Sequence, residues 1–292
     1  MTLEHIAGRR YGPVPFTVDP ARVAEFVTAT SDDPERWAGT APPGFAAALL
    51  FAAAPIFFAD DDVTPYTAAM LHSEQRFAWD GPLRGGATLA VTGEVTGVRA
   101  RRGLNLVTFT AAASGDEGEV VRSVSTFLMS ADAAVEDPPP EEEEAPATAR
   151  AASPPPEPAS LPAAGGELEP LARSASRADL VRYAAASGDF NPIHWDHDSA
   201  RRAGLAGVVV HGLCMASWLC QAAGRYAPGP APLADLKARF RFPLRPAVAA
   251  VVTGRVGQAG PPAVLHLALG AGGAEAVTAT ATLRIVSPPA LR

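Results

Sequence analysis

The stretch SGDFNPIHWDHD, residues 187–198, gathers three aspartates, one asparagine and two histidines into twelve positions. Asp189 and His194, five residues apart, are the pair whose types could move a proton. A carboxylate can orient or deprotonate a water. An imidazole, with an unperturbed pKa of about 6.5, can carry a proton in either direction near neutrality. Read alone, Asp189 also fits an ordinary loop or cap residue, and His194 a surface histidine. Asn191 and Pro192 fix the turn between them, the Asn side chain bonding to backbone. His197 reads as a surface residue.

The elements around this stretch follow from periodicity and punctuation. Upstream, SRADLVRYAAAS from Ser176 reads as a short amphipathic helix, with Ser176 as N-cap and Asp179 three residues later in a capping-box pattern. Downstream, HGLCMASWLCQAAGRY from His211 reads as a long apolar helix. Alternating strands follow in LKARFRFPL, AAVVTGRVGQA, VLHLALG and AVTATATLRIV. The first half repeats this plan. DPARVAEFVTAT from Asp19 is a short helix and GFAAALLFAAAPIFF from Gly44 a long apolar one. FVTATSDDP parallels YAAASGDFNP, and the two PLR segments, at 82 and 243, are 161 residues apart. Several matches in the same order indicate a duplicated domain. One apolar helix against one antiparallel sheet in each half makes the fold class α+β.

Composition bounds the rest. The chain has 292 residues, 48% of them hydrophobic, and a net charge of -7. That suffices for two ordinary domains and argues against a general nucleic-acid binder. Cys214 and Cys220 show neither a disulfide framework nor metal-ligand spacing. The N-terminus lacks the apolar core of a signal peptide. The most apolar run, residues 45–59, is shorter than the ~20 residues a spanning helix needs. The expectation is a cytoplasmic protein without a membrane span. Residues 134–166 are rich in Pro and Glu with almost no large apolar side chains, and read as a flexible linker. The expected organisation is a first domain at 1–133, the linker, and a second domain at 167–292.

The run YAAASGDFNPIH, Tyr183 to His194, followed by GVVVHGLCMAS, Gly207 to Ser217, resembles the signature of the MaoC-like dehydratases and R-specific enoyl-CoA hydratases. The first half, with APPGF from Ala41 and LHSEQRFAWDGPLRGGATL from Leu71, resembles their FAS1-like (MaoC-type) dehydratase N-terminal domain. The resemblance covers nearly the whole chain except the linker. It implies a double hotdog: in each half a curved antiparallel sheet wraps a long central helix. It implies that one chain equals a hotdog dimer with one functional site, as a monomeric pseudo-dimer or a homodimer of such chains. The first half departs from the motif after Asp32, where it reads DPERWAGTAPP, so it is expected to shape the pocket and not to run the chemistry. Pro55, inside the apolar helix of that half, either opens room for a bulky acyl chain or merely bends the helix to fit.

The implied reaction is the reversible hydration of a trans-2-enoyl thioester to a (3R)-3-hydroxyacyl thioester, carried by CoA or an acyl carrier protein. Asp189 and His194 act through one water. Gly212, at a helix start where N–H groups are unpaired, lets the thioester oxygen approach its amide. Asn191, Ser217 and His211 are further candidates for substrate binding. His211 more readily positions the loop, and Ser217 more readily bonds its own helix carbonyl. Lys237, Arg239 and Arg241 alternate along one strand as a candidate landing patch for the carrier's phosphates, or as a plain solvated face. Arg76, Arg84 and Arg245 are weaker candidates, and His266 is given no role. No metal or redox cofactor is required. The alternatives are a non-catalytic hotdog subunit that binds acyl thioesters and, less favoured by the motif, a thioesterase.

Overall fold

A computed structural model describes residues 2–67, 69–101, 103–131, 140 and 160–284. Seventeen α-helices and β-strands follow one another in those residues. In the first half they are β1 (Arg10–Thr17), α1 (Pro20–Thr30), β2 (Thr40–Ala41), α2 (Ala46–Phe58), β3 (Ala69–Trp79), β4 (Leu83–Arg84), β5 (Thr88–Arg101), β6 (Leu104–Gly115) and β7 (Gly118–Ser130). In the second half they are β8 (Leu171–Arg173), α3 (Arg177–Ser187), α4 (His197–Arg202), α5 (Gly212–Gly224), β9 (Leu233–Phe240), β10 (Ala250–Gln258), β11 (Ala263–Ala271) and β12 (Ala274–Leu283).

Local chemistry explains where the helices start. Asp19 caps α1 by accepting from the Ala21 amide, with Pro20 at the first helical position. Ser176 caps α3, and Asp179 reaches back to the Ser176 amide, closing the capping box. The strands alternate as their sequences require. On β10 Val252 and Val256 are buried while Val251 and Thr253 face out, and on β5 Leu89, Val91 and Val95 point inward.

Ten strands form one antiparallel sheet in the order β1-β5-β6-β7-β3-β9-β12-β11-β10-β8. The order reads the same from both ends once β1 is equated with β8, β5 with β10, β6 with β11, β7 with β12 and β3 with β9. The duplication read in the sequence is therefore a pseudo-two-fold in space. Its seam is the pairing of β3 with β9, from Glu74↔Arg239 to Ala78↔Asp235. Arg76–Asp235 and Arg239–Glu74 ion pairs run across it on the exposed face. Pairing the two inner edges leaves only β1 and β8 as edges of the sheet.

Each half wraps its own helix. α2 packs on β1, β5, β6 and β7, and α5 on β9, β10, β11 and β12. Every residue of α5 from Leu213 to Gly224 is buried, Trp218 completely. α1 and α3 pack against each other across the pseudo-two-fold, with Phe26 and Tyr183 ring centroids 5.3 Å apart. α2 runs on through Pro55 to Phe58 and matches α5 in length at 13 residues, so it is not shortened. Pro55 is exposed near its end, where the missing N–H costs the Phe51 carbonyl its helical partner.

Most of the expected linker lies outside the described residues. Its last part does not: Gly165 and Gly166 exchange hydrogen bonds with Val256, and Leu168 donates to Gly254, so this segment runs along β10. Among the described residues no helix is long and apolar enough to cross a membrane.

Candidate active site

The motif is a sharp corner after α3. Gly188 ends the helix in the left-handed conformation, at φ 85°. A Cβ there would also lie 3.3 Å from the Phe51 Cβ of α2, so both conformation and space favour glycine. The next residue, Asp189, is thereby turned inward. Its amide donates to the Ser187 hydroxyl oxygen at 3.2 Å, and its carboxylate accepts from the Asn191 amide at 3.3 Å. Asn191 caps the turn Pro192–His194 by accepting from the Ile193 amide. That turn delivers His194.

Backbone carbonyls fix both imidazoles. A carbonyl only accepts, so His194 carries its proton on Nδ1, which donates to Val209 O at 2.9 Å. Its Nε2 lone pair is left for chemistry. His211, just before α5, donates from Nε2 to Asp189 O at 3.2 Å. Its Nδ1 is buried without a partner. The two rings stack, centroids 3.8 Å apart at 26°, and Tyr183 packs on His211 at 4.8 Å. Asp189, His194 and His211 each bring a ligand atom within 4.8 Å of the others'. One water can reach all three at that spacing. A carboxylate and two imidazoles are also a donor set suited to a transition metal.

Burial sets the electrostatics. It pushes the Asp189 carboxyl up, opposed by His194 and the Asn191 amide. It pushes His194 down, opposed by Asp189 and the Val209 carbonyl. His211 is driven further down by burial and by the neighbouring His194, so it is a neutral ring. Asp189 and His194 keep 8% and 7% of their surface, so the pair is nearly, not wholly, sealed.

Gly212 opens α5. The first helical bond at this end runs from the Met215 amide to His211 O, so the amides of 212–214 precede the ladder. A Cβ on the half-buried Gly212 would lie 3.3–3.5 Å from the Phe240 ring, so a methyl fits tightly and a larger side chain would displace the ring. Phe240 was not singled out from sequence. The signal was there: in KARF the period of two puts Ala238 and Phe240 on the face opposite Lys237 and Arg239.

The remaining candidates are placed elsewhere. The Ser217 hydroxyl donates to Leu213 O at 2.8 Å, and its side chain packs against Gly44 of the first half. Lys237 and Arg239 lie on the outer face of β9, opposite Phe240, with Arg241 just beyond its end. They line an open groove of about 870 Å³ on the sheet's outer face. Arg239 is held by Glu74, and Arg241 donates to Thr278 Oγ1 at 3.4 Å. His266 lines the same groove. Arg76 is spent on Asp235, whereas the Arg245 guanidinium reaches Gly207 beside His197.

Comparisons with known proteins bear on the two halves and on the fold. Residues 159–257 match the MaoC like domain model, and residues 5–124 match the FAS1-like, dehydratase domain region. A solved MaoC-like dehydratase superposes with a TM-score of 0.81 at 23% identity, covering 97% of this chain and all of that one. HtdX of Mycobacterium tuberculosis gives 0.69 at 22% identity, over 95% of this chain and all of that one. A further Mycobacterium tuberculosis protein, described as a double hotdog fold, gives 0.61 at 14% identity, over 95% and 96%. Among curated sequences, a mitochondrial 3-hydroxyacyl-[acyl-carrier-protein] dehydratase of Arabidopsis thaliana is 36% identical over 69 residues, 24% of this chain and 41% of that protein. A UPF0336 protein of Cutibacterium acnes is 27% identical over 128 residues, 42% and 90%. The chain is a double hotdog of the MaoC-like dehydratase family, with a FAS1-like dehydratase region in its first half and the MaoC-like domain in its second.

Proposed function

We propose that this chain adds water reversibly across a trans-2-enoyl thioester, giving a (3R)-3-hydroxyacyl thioester. The observation that supports this reading is that Asp189 and His194 each bring a ligand-type atom within 4.8 Å of the other's, a spacing that one water can bridge. The bond-making is simple. His194 Nε2 takes a proton from the water as its oxygen bonds the β-carbon. The π electrons move toward the thioester carbonyl, and the α-carbon is then protonated from the Asp189–His194 pair. Asp189 orients the water throughout. Charge builds on the thioester oxygen as the enolate forms, and the Gly212 amide at the start of α5 strengthens its bond as that happens. His211, neutral and stacked on His194, holds the Asp189 main chain and adds no competing charge. The thioester is carried by CoA or by an acyl carrier protein.

The acid limb of the pH profile belongs to the pair: burial lowers His194, which must be unprotonated to act as base, and raises Asp189, which must be ionised to hold the water. A base works only when unprotonated, and a folded pKa below the ordinary imidazole value of about 6.5 keeps it so at lower pH. kcat/KM for crotonyl-CoA should therefore hold through pH 6.5 and fall only below it, as His194 takes up its proton. A limb centred at or above 6.5 would contradict a buried His194 acting as the base.

The function is tested by loss of the enoyl absorbance of crotonyl-CoA with the purified protein. A second reading, an acyl-thioester-binding subunit without catalysis, is favoured by how little of Asp189 and His194 reaches solvent. It predicts binding of the thioester without turnover.

A further inference from the structure

The pseudo-two-fold places a second copy of the site in the first half, and its remains are specific. Thr30 and Ser187 both send their hydroxyls back to the carbonyl four residues earlier, at 2.8 and 2.7 Å. Ser31 and Gly188 then both turn left-handed, at φ 55° and 85°. Asp32 and Asp189 follow, both buried. Five residues on along the chain, where the second half has His194, the first half has Trp37. Pro43–Gly44 stands where the second half has His211–Gly212. The carboxylate and glycine positions survive, whereas both imidazoles are gone. The space is closed to a void of about 10 Å³ lined by Asp32, Trp37, Gly44, Ser217 and Gln221, at the limit for a single water.

What fills this former site grips the far end of the catalytic helix. Arg36 Nη2 donates to Gly224 O at 2.7 Å and to Ala227 O at 2.9 Å, across the halves. Gly224 closes α5 and its carbonyl also accepts from the Ala227 amide, so Arg36 ties this closing turn down, and a cation at this end suits the helix dipole. Gln221 of α5 donates to Thr30 O at 3.0 Å and accepts from Arg173 Nε at 2.8 Å. The same helix carries the Gly212 amide at its other end.

We propose that the first half's lost site has become a clamp, in which Arg36 is a positioning residue that sets the Gly212 amide against the thioester oxygen by fixing the C-terminal end of α5. The proposal rests on the hydratase reading for its catalytic consequence. At 1.5 Å per residue, the 13 residues of α5 span about 20 Å, so a tilt of about 3° at the clamped end moves Gly212 by about 1 Å. A misplacement of that size can cost about 100-fold in rate.

The test compares Arg36→Met and Arg36→Lys with the parent by two readouts. One is kcat and KM for crotonyl-CoA. The other is the amide signal of Gly212 in protein labelled with 15N-glycine. Arg36→Met should lower kcat about 10- to 100-fold with little change in KM, because the loss falls on charge that develops after binding. Its Gly212 amide should shift. Arg36→Lys, which can still donate to one of these carbonyls, should recover part of both. A folded Arg36→Met protein with parental kcat and an unmoved Gly212 amide overturns the clamp, even if its melting temperature falls. If the parent itself does not turn over, the hydratase reading fails while the amide signal still decides the clamp.

Discussion

Asp189→Asn should fold as the parent does and lose about 10²–10⁴-fold in kcat/KM on an enoyl thioester, the range for removing a positioned acid–base group. The substitution is nearly isosteric. An asparagine oxygen can still accept from the Asn191 amide, and the main-chain carbonyl that His211 bonds is untouched. The corner therefore survives. What disappears is an anion able to hold the water and exchange its proton with His194. The melting temperature should stay close to that of the parent or rise, because burial already disfavours the charged carboxylate. A variant with full turnover would remove Asp189 from the chemistry.

The second large effect is at Gly212. Gly212→Val should cost about 10²–10³-fold in kcat, the order found for losing one oxyanion donor. The argument is steric. A Cβ already meets the Phe240 ring at 3.3–3.5 Å, and the branched carbons of valine need space that the ring and the thioester occupy. The ring must turn, or the oxygen must stand off from the amide. Gly212→Ala is the graded control, since a single methyl asks the ring for only a few tenths of an ångström. Its loss should be smaller, and near-parental thermal stability would show that the fold is not what failed. Equal, small losses in both variants would place the thioester oxygen elsewhere.

How much of this was legible in the sequence depends on the range of the interactions concerned. The helix starts were legible because Asp19, Ser176 and Asp179 act on amides within three residues of themselves. The corner was legible for the same reason: Gly188, Asp189, Asn191 and His194 form one local structure. The duplication showed as order and spacing, and the palindromic strand order is its spatial form. What sequence could not reveal lies across the halves. Nothing local in Arg239 says that Glu74, 165 residues earlier, will hold it, which changes the character of the cationic strand Lys237–Arg241. Nothing in Ser217 says that it will meet Gly44. Phe240 was hidden by attention to the cations on either side of it. Arg36 reads as one charge in a polar loop until its partners prove to be carbonyls 188 and 191 residues away. The near-neutral state of His211 also needed the fold, because it comes from burial and from a stacked ring that approaches through the Pro192–His194 turn.

The account turns on one water shared by Asp189 and His194 beside the Gly212 amide. The most direct measurement is the product formed from crotonyl-CoA in D₂O, with its stereochemistry resolved. The account predicts (3R)-3-hydroxybutyryl-CoA carrying one deuterium at C2, added from the same face as the hydroxyl, because one pair of residues serves both the water and the α-carbon. Product of the opposite configuration at C3, addition from opposite faces, or crotonyl-CoA that stays unhydrated in the presence of the folded protein would contradict it.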